Sequence, residues 1–363
     1  MAMKKKILFL LPGIANSPIG GYKVVYEYAN RLVENGYDVS VAYPAYMHVE
    51  SDSAIMRFLR ICKAVLRFLY CRITKKHSCR NWFGLDERVK ELMTCTLLEK
   101  HCPVADIYVA TSVHTAYYLN EYKRPCRRFY LIQHYESWGG ITDAQLRRTY
   151  SFPLKKIVIS QWLYDIVSKY DPDCTLIPNG FDFDFFKKNT NVKERDRYCV
   201  AMMYHTLELK GCSEGLEALK MVKAKFPQLK VLLFGAYKKP ANLPDWIEYF
   251  YQPDKEAFNA IYNSAAIFVG TSRSEGWGLT VGEAMMCGCA VVCTDNDGYK
   301  EMAKDGETAL MSPINDSIGL SRNIVKLIEN DVLRYDIADR GHEFIQKFNW
   351  DDSFGKLMSL ING

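Results

Sequence analysis

The chain has 363 residues, of which 48% are hydrophobic, 25% charged and 13% aromatic. That composition buries a large core and excludes disordered, collagen-like and simple-repeat chains, while the length fits about two domains. No run approaches the roughly 18 apolar residues of a membrane-spanning helix.

The net charge of +5 hides an asymmetry: residues 1–173 carry 25 Lys and Arg against 16 Asp and Glu, and residues 174–363 carry 22 against 26. A basic first half favours anionic partners. It carries no nucleic-acid recognition motif, so nucleic acid is not expected as a partner. Twelve cysteines are scattered without CxxC pairs or Cys/His ligand spacing. They read as small buried side chains in a reducing compartment. The opening MAMKKKILFLLPG imitates a signal peptide, but its apolar run, Ile7 to Leu11, is shorter than the roughly 7–15 residues of such a segment and stops at Pro12. It reads as a first buried strand.

Apolar β-rich runs alternate with helical patterns along the chain. Residues 4–10, 37–44, 106–112, 127–134 and 155–160 are predicted strands; 22–35, 84–101, 113–122 and 161–170 are predicted helices. After Pro172 the rhythm restarts, with strands at 174–178, 197–203, 229–235, 247–251, 265–270, 289–294 and 308–313. Helices at 212–225, 254–263, 280–287, 299–304 and 316–346 lie between them, and a last helix follows at about 351–361. Two series of alternating units predict two doubly wound α/β domains with parallel sheets. The expected domains are 1–173 and 174–347, followed by a C-terminal segment 348–363. Ligands of such sheets bind beyond the carboxyl ends of the strands, so the informative loops follow strands.

The first such loop contains Gly13, Asn16 and Pro18, and Gly20-Gly21 opens the next helix. Glycines there let backbone N–H groups approach an anion, although a plain tight turn accounts for them equally. The second loop is SRSEGWGLTVGEA. Glu275 stands at a helix mouth, with Glu283 two turns further on the same side. Backbone N–H groups of Gly278, Leu279 and Thr280 suit a phosphate at the helix N-terminus. Carboxylates repel phosphate, so the two glutamates suit neutral hydroxyls. An anion nest flanked by two carboxylates suits a nucleotide sugar.

EGWGLTVGEA resembles the E-x7-E motif of the family 4 retaining glycosyltransferases of GT-B fold. IPNGFD (177–182), LELKGCSEGLEAL, DNDGYKEMAKDGETALMSP and FNWDDSFGKLM resemble further segments of that family, in its order. The resemblance spans nearly the whole chain, strongly over 174–363 and loosely over 45–105. It implies two Rossmann-like domains facing across a cleft, with the terminal helix crossing back onto the first, acceptor-side domain. It also implies transfer of a hexosyl or deoxyhexosyl group from a nucleotide diphosphate sugar to a glycan or lipid-linked acceptor, with retention and without a metal. The TDND sequence (294–297) reads as a turn.

By resemblance, Lys210 is the diphosphate lysine, Glu275 contacts the transferred sugar and Glu283 the ribose. The family's arginine before the lysine is absent; Tyr204 and His205 stand there, and His205 is the candidate second donor. Arg273, Gly276 and Trp277 complete the expected donor loop, and Phe250, Tyr251 and Gln252 are weak candidates for the base. His134 resembles a sugar or acceptor contact, with Glu136 beside it and His114 ranked behind. Residues 57–80 carry eight cations and no acid; Arg57, Arg60, Lys63 and Arg67 recur at helical spacing among apolar residues. Such a helix, over about 55–80, suits peripheral contact with an anionic membrane, here the cytoplasmic face of the cell membrane. The bland reading is a core helix whose cations snorkel to water. The functional alternatives are other nucleotide-sugar chemistry, such as epimerisation, and a non-catalytic nucleotide-sugar-binding or scaffold protein.

Overall fold

A computed structural model describes residues 4–14, 17–47, 54–74, 76–137 and 140–363, with backbone only for 54–58. Asn16, Lys75 and the side chain of Arg57, singled out above, lie outside the described residues. The chain divides between Ile177 and Pro178 into two units.

In the first unit the elements run β1 Lys6–Leu10, α1 Gly20–Glu34, β2 Asp38–Pro44, α2 Ala54–Thr74, β3 Lys90–Thr94, β4 Ile107–Ala110, α3 Val113–Asn120, β5 Arg127–Ile132, α4 Asp143–Tyr150, β6 Lys155–Val158, α5 Gln161–Val167 and β7 Thr175–Leu176. Among the described residues the strands form one parallel sheet, ordered β3-β2-β1-β4-β5-β6-β7. The chain winds outward in both directions from the β1/β4 pair, which sets the topological switch point between those strands.

Three expectations are corrected here. Residues 84–101, predicted as a helix, contain β3, which pairs with β2 from Ser40↔Lys90 to Pro44↔Thr94. Leu85, Val89, Met93 and Leu97 recur every fourth residue and imitate a helix, but the open edge of β2 claims the backbone. Residues 174–178, predicted to open the second series, supply β7, which pairs with β6 and closes the first sheet. The boundary therefore falls at Ile177, not after residue 173. The helix α4 was absent from the predicted elements. Its signal is a capping box: Thr142 Oγ1 accepts from Gln145 N (3.2 Å), and Gln145 Oε1 accepts from Thr142 N (2.9 Å).

The second unit runs β8 Cys199–Met203, α6 Cys212–Lys225, β9 Lys230–Gly235, β10 Ile247–Tyr251, α7 Lys255–Ser264, β11 Ile267–Gly270, α8 Leu279–Met286, β12 Ala290–Thr294, β13 Leu310–Ser312, α9 Ser317–Glu329, α10 Asp331–Ile345 and α11 Trp350–Asn362. Its described strands form a parallel sheet ordered β10-β9-β8-β11-β12-β13, with the switch point between β8 and β11. Val200, Met202, Leu233, Val269 and Val292 of the strands pack with Leu219, Ile324 and Ile337 of the helices in one buried core. The span 316–346, predicted as one helix, is two. Asn330 ends α9 and caps α10, its Oδ1 accepting from Leu333 N at 3.0 Å. Buried Arg334 locks the corner by donating to Leu327 O (2.7 Å) and Asp331 Oδ1 (2.5 Å). The predicted helix at 299–304 is a single 3-10 turn, Tyr299–Glu301. The terminal helix α11 is anchored within the second unit, Ser353 Oγ donating to Pro178 O at 2.6 Å. Nine of the twelve cysteines are buried, and all are free thiols.

Candidate functional site

The best-developed site of the second unit lies at its switch point, where the loops leaving β8 and β11 run side by side. The β8 loop tightens into a 3-10 turn, Glu208–Lys210, and then enters α6 through Gly211. Gly211 has φ +57°, and a Cβ there would overlap Thr271 O, so only glycine lets the two loops touch. Thr271 Oγ1 in turn donates to Lys210 O at 2.7 Å, and Arg273 N donates to Leu209 O at 2.8 Å. Together these bonds bring Lys210 Nζ to 2.6 Å from Glu275 Oε1. Ser272 Oγ donates to that same oxygen at 2.6 Å. Both members of the ion pair are partly buried, at 23% and 15% side-chain exposure, which strengthens their attraction over that of a surface pair.

Glu275 is also positioned from behind. Gly298 lies so close that a Cβ would overlap the Glu275 carbonyl oxygen. The turn before it is pinned by Asn296, whose Nδ2 donates to Ser272 O (2.9 Å) and whose Oδ1 accepts from Tyr299 N (3.0 Å). Asp295 and Asp297 of this turn pair with Lys300.

The glutamate loop enters α8 through Gly278, at φ +98° and without a side-chain cap. Gly276, Trp277 and Gly278 are buried, whereas Leu279 and Thr280 at the helix start are half-buried. Partial positive charge of the helix N-terminus therefore emerges beside the Lys210–Glu275 pair. Glu283 is buried at 7% exposure and accepts from Tyr262 OH at 3.2 Å.

Two members of the predicted donor loop have other roles. The Trp277 side chain is core: its ring lies 5.0 Å from Phe348 and 6.3 Å from Phe181. Arg273, expected to reach phosphate or sugar, is engaged by two carboxylates. Its guanidinium donates to Glu208 Oε1 (2.5 Å) and to Glu214 Oε1 (3.1 Å from Nε).

His205 leaves β8 with its Nδ1 accepting from Leu207 N at 2.9 Å and its ring 4.6 Å from that of Tyr237. Burial, followed by the nearby Lys210 charge, lowers its pKa below the ordinary value. With Nδ1 accepting, the proton sits on Nε2, so the ring is a neutral donor and not a cation. Beside it, Leu207 and Tyr237 expose apolar surface, as do Leu209 and Tyr251 elsewhere on this unit. Of the base candidates, Phe250 is half-buried and Tyr251 exposed at the end of β10, and Gln252 turns the chain at φ +45°.

The first unit carries its own group at the β1/β4 switch point. Gly20 and Gly21 are the first residues of α1, which has no side-chain cap. The Gln133 side chain lies against Gly21, and Tyr22 OH donates to Gly13 O at 2.9 Å. After β5, His134 is half-buried with its ring edge toward Trp162, 6.1 Å between centroids. Glu136 Oε2 accepts from Val113 N at the start of α3, at 2.8 Å. Burial raises the Glu136 pKa to about 7, against a smaller lowering by that N–H. His114, on α3, has its pKa lowered by burial. Ser272, Tyr262 and Glu214 were missed in the sequence. Ser272, three residues before Glu275, is the one that a closer look at the motif's flank could have found.

In the first unit, α2 turns most of its described surface to solvent. Leu59, Ile61, Val65, Leu66, Leu69, Tyr70 and Ile73 are each at least 41% exposed, and Ala64 and Cys71 are buried. Arg60, Lys63, Arg67 and Arg72 stand among them. The core-helix reading of this stretch is thus corrected; the helix runs to Thr74, and His77 Nδ1 contacts Cys71 O at 3.1 Å. Among the described residues no helix is long and apolar enough to cross a membrane.

Residues 182–344 match the family described as glycosyl transferases group 1. A phosphatidyl-myo-inositol mannosyltransferase of Mycobacterium leprae is 26% identical over 198 residues, covering 52% of this chain and 53% of that protein. An O-antigen chain mannosyltransferase B of Escherichia coli is 33% identical over 108 residues, 30% of this chain and 28% of that protein. The chain spans about half the length of the first curated relatives it matches. The structure of Anabaena HepE in complex with UDP-glucose superposes with a TM-score of 0.71 at 16% identity, covering 98% of this chain and 99% of that one. That likeness is one of fold, two Rossmann-like parallel-sheet domains of GT-B type.

Proposed function

We propose that this chain, whose second unit belongs to the group 1 glycosyltransferases, moves a sugar from a nucleotide diphosphate donor to a glycan or lipid-linked glycan. The product is cell-surface polysaccharide or glycolipid. The observation that carries this reading is the Lys210–Glu275 pair beside the open start of α8. A cation and a helix N-terminus suit the diphosphate, and a carboxylate held by Ser272 suits a sugar hydroxyl.

In this reading the bond from the sugar's anomeric carbon to the phosphate oxygen breaks while the acceptor oxygen bonds the same face. The departing phosphate takes the acceptor proton, so configuration is retained. Lys210 neutralises charge growing on that phosphate, where preorganised charge lowers the barrier most. His205 adds a neutral Nε2–H, and Leu279 and Thr280 add backbone N–H groups. Glu283, already bonded to Tyr262, takes ribose hydroxyls. Gly20, Gly21 and His134 are assigned to donor and acceptor contacts on the first unit. The route assigns no step to a metal.

Exposed apolar and cationic residues on α2 support peripheral binding to an anionic membrane, at the cytoplasmic face where nucleotide sugars are made available to lipid-linked acceptors. A second reading is favoured by one observation. A neutral histidine stands where the resemblance asks for arginine, which fits a protein that binds nucleotide sugars without transferring them.

A thermal-shift panel of UDP, GDP, dTDP, ADP and CDP with their sugar conjugates tests the proposal. A ligand at 100 times its dissociation constant adds about 2.7 kcal/mol. A shift with one nucleotide, followed by labelled sugar transfer to a membrane extract, is the expected result. Binding without transfer to any extract favours the second reading, and binding of none removes both.

A further inference from the structure

We propose that Arg273 is a positioning residue that keeps the lysine loop and the glutamate loop in register. The proposal rests on the reading of Lys210 and Glu275 as the transfer pair.

The sheet itself cannot hold these loops together. The register between β8 and β11 ends at Met202↔Val269, and Lys210 and Glu275 lie eight and six residues farther on. Past that point the chains are joined by cross-links from 271–273. Thr271 Oγ1 reaches Lys210 O, and Arg273 N reaches Leu209 O. The Arg273 guanidinium then spans both sides of Lys210, to Glu208 two residues before and Glu214 four residues after. Glu214, at 15% side-chain exposure, is the fixed anchor, and Glu208, at 82%, is the outer one. A planar fork with several donors can grip both ends of the turn, which a lysine cannot. The same contacts neutralise two carboxylates that otherwise flank the lysine meant for an anionic ligand. Arg273 acts through Lys210 and not on the donor.

The test has an arm that needs no donor. Arg273→Gln in the full chain raises amide hydrogen exchange of 207–211 by about tenfold, an opening local to this turn. Arg340→Gln, which removes the exposed Arg340–Asp336 pair on α10, leaves that exchange unchanged. The swap Arg273→Glu with Glu214→Arg restores part of the protection, and Arg273→Lys falls between. Unchanged exchange in R273Q overturns the proposal, and so does an increase spread evenly over the second unit, which marks a merely structural role. The second arm is kinetic. R273Q lowers kcat by about tenfold with the donor KM within about threefold, and adds little to Lys210→Ala, as groups acting as one unit do. Full additivity with K210A overturns the proposal. Failure of the wild-type chain to transfer any sugar would remove the proposed function, while the exchange arm still decides whether Arg273 holds the turn.

Discussion

Lys210 and Glu275, 65 residues apart in sequence, meet at 2.6 Å because two loops leave adjacent strands at the switch point of one sheet. The backbone that carries each is held in place: Gly211, next to Lys210, sits against Thr271, and Gly298 sits against Glu275.

Glu275→Ala is expected to cut the transfer rate by about 10²–10³, the scale for losing one preorganised polar contact at a reacting centre. Folding survives, because Lys210 keeps 23% side-chain exposure and can turn to water; the stability cost is about 1–2 kcal/mol. Initial rates and a thermal melt on the same preparation check both. Turnover at the wild-type rate would take Glu275 out of the chemistry.

His205 gives a pH prediction. Its folded pKa lies below the ordinary 6.5, from burial first and Lys210 second. Such a group contributes stability in full above the unfolded pKa and loses it as pH falls from there through the lower folded pKa. Nucleoside diphosphate binding should therefore be flat from about pH 7 to 9 as far as His205 is concerned, the ring being neutral throughout. His205→Arg adds a cation and should tighten binding most at low salt, where screening is weakest. A wild-type affinity that falls between pH 6 and 8, and becomes flat in His205→Asn, would mean the ring binds as a cation.

Much of this was legible before the structure. The strand-and-glycine punctuation around 229–235, 265–270 and 279–294 marks the second sheet, and α6 falls on the predicted 212–225. What failed were places where long-range contacts outrank local pattern. The edge of β2 takes 90–94 from a helical spacing. Asn330 breaks a continuous amphipathic run because Arg334 finds carbonyl and carboxylate partners across the corner. At the site, the resemblance singles out Lys210, Glu275 and Glu283, and the fold brings Lys210 and Glu275 within 2.6 Å of each other. The inward turn of Trp277 and the capture of Arg273 by Glu208 and Glu214 depend on neighbours far away in sequence, which no local pattern reports.

Glu136 predicts the opposite pH sign from His205. Its carboxyl is raised from the ordinary 4.5 to about 7, so the folded state holds the proton more tightly than the unfolded chain does. Stability from this group is full below the unfolded pKa and is lost as pH rises from about 4.5 to about 7. At about 1.4 kcal/mol per pH unit the loss is at most about 3 kcal/mol. Glu136→Gln removes this dependence, so its advantage over wild type should appear at pH 8 and vanish at pH 4. Equal differences at both pH values would show that Glu136 titrates normally.

For α2, reversing Arg60, Lys63 and Arg67 to Glu should abolish sedimentation with vesicles rich in anionic lipid. Each cation near such a surface is worth about 1 kcal/mol, so three reversals remove several. Exposed Leu66 and Ile73 should matter as well, and Leu66→Ser with Ile73→Ser should weaken binding even at low salt. Vesicle binding unchanged in both variants would leave α2 as a solvent-exposed helix without that role.

The glycines of the α8 entrance give a prediction about stability and geometry together. At Gly278 the backbone φ is +98°, and a Cβ would come within 2.5 Å of the Tyr299 ring. At Gly282 a Cβ would overlap the Phe181 ring, with an ordinary helical backbone. Gly306 has φ +73° with nothing within 4 Å. Backbone strain alone costs about 1–2 kcal/mol and overpacking about 1–3 kcal/mol. Gly306→Ala should therefore lose only the first, Gly282→Ala only the second, and Gly278→Ala the sum. Chemical denaturation of the three variants ranks them. Gly278→Ala should also lose nucleoside diphosphate binding, because shifting Tyr299 or the helix start moves the N–H groups of Leu279 and Thr280. Gly306→Ala should bind as wild type does. If Gly278→Ala costs no more than Gly306→Ala, Tyr299 yields freely and does not fix the start of α8.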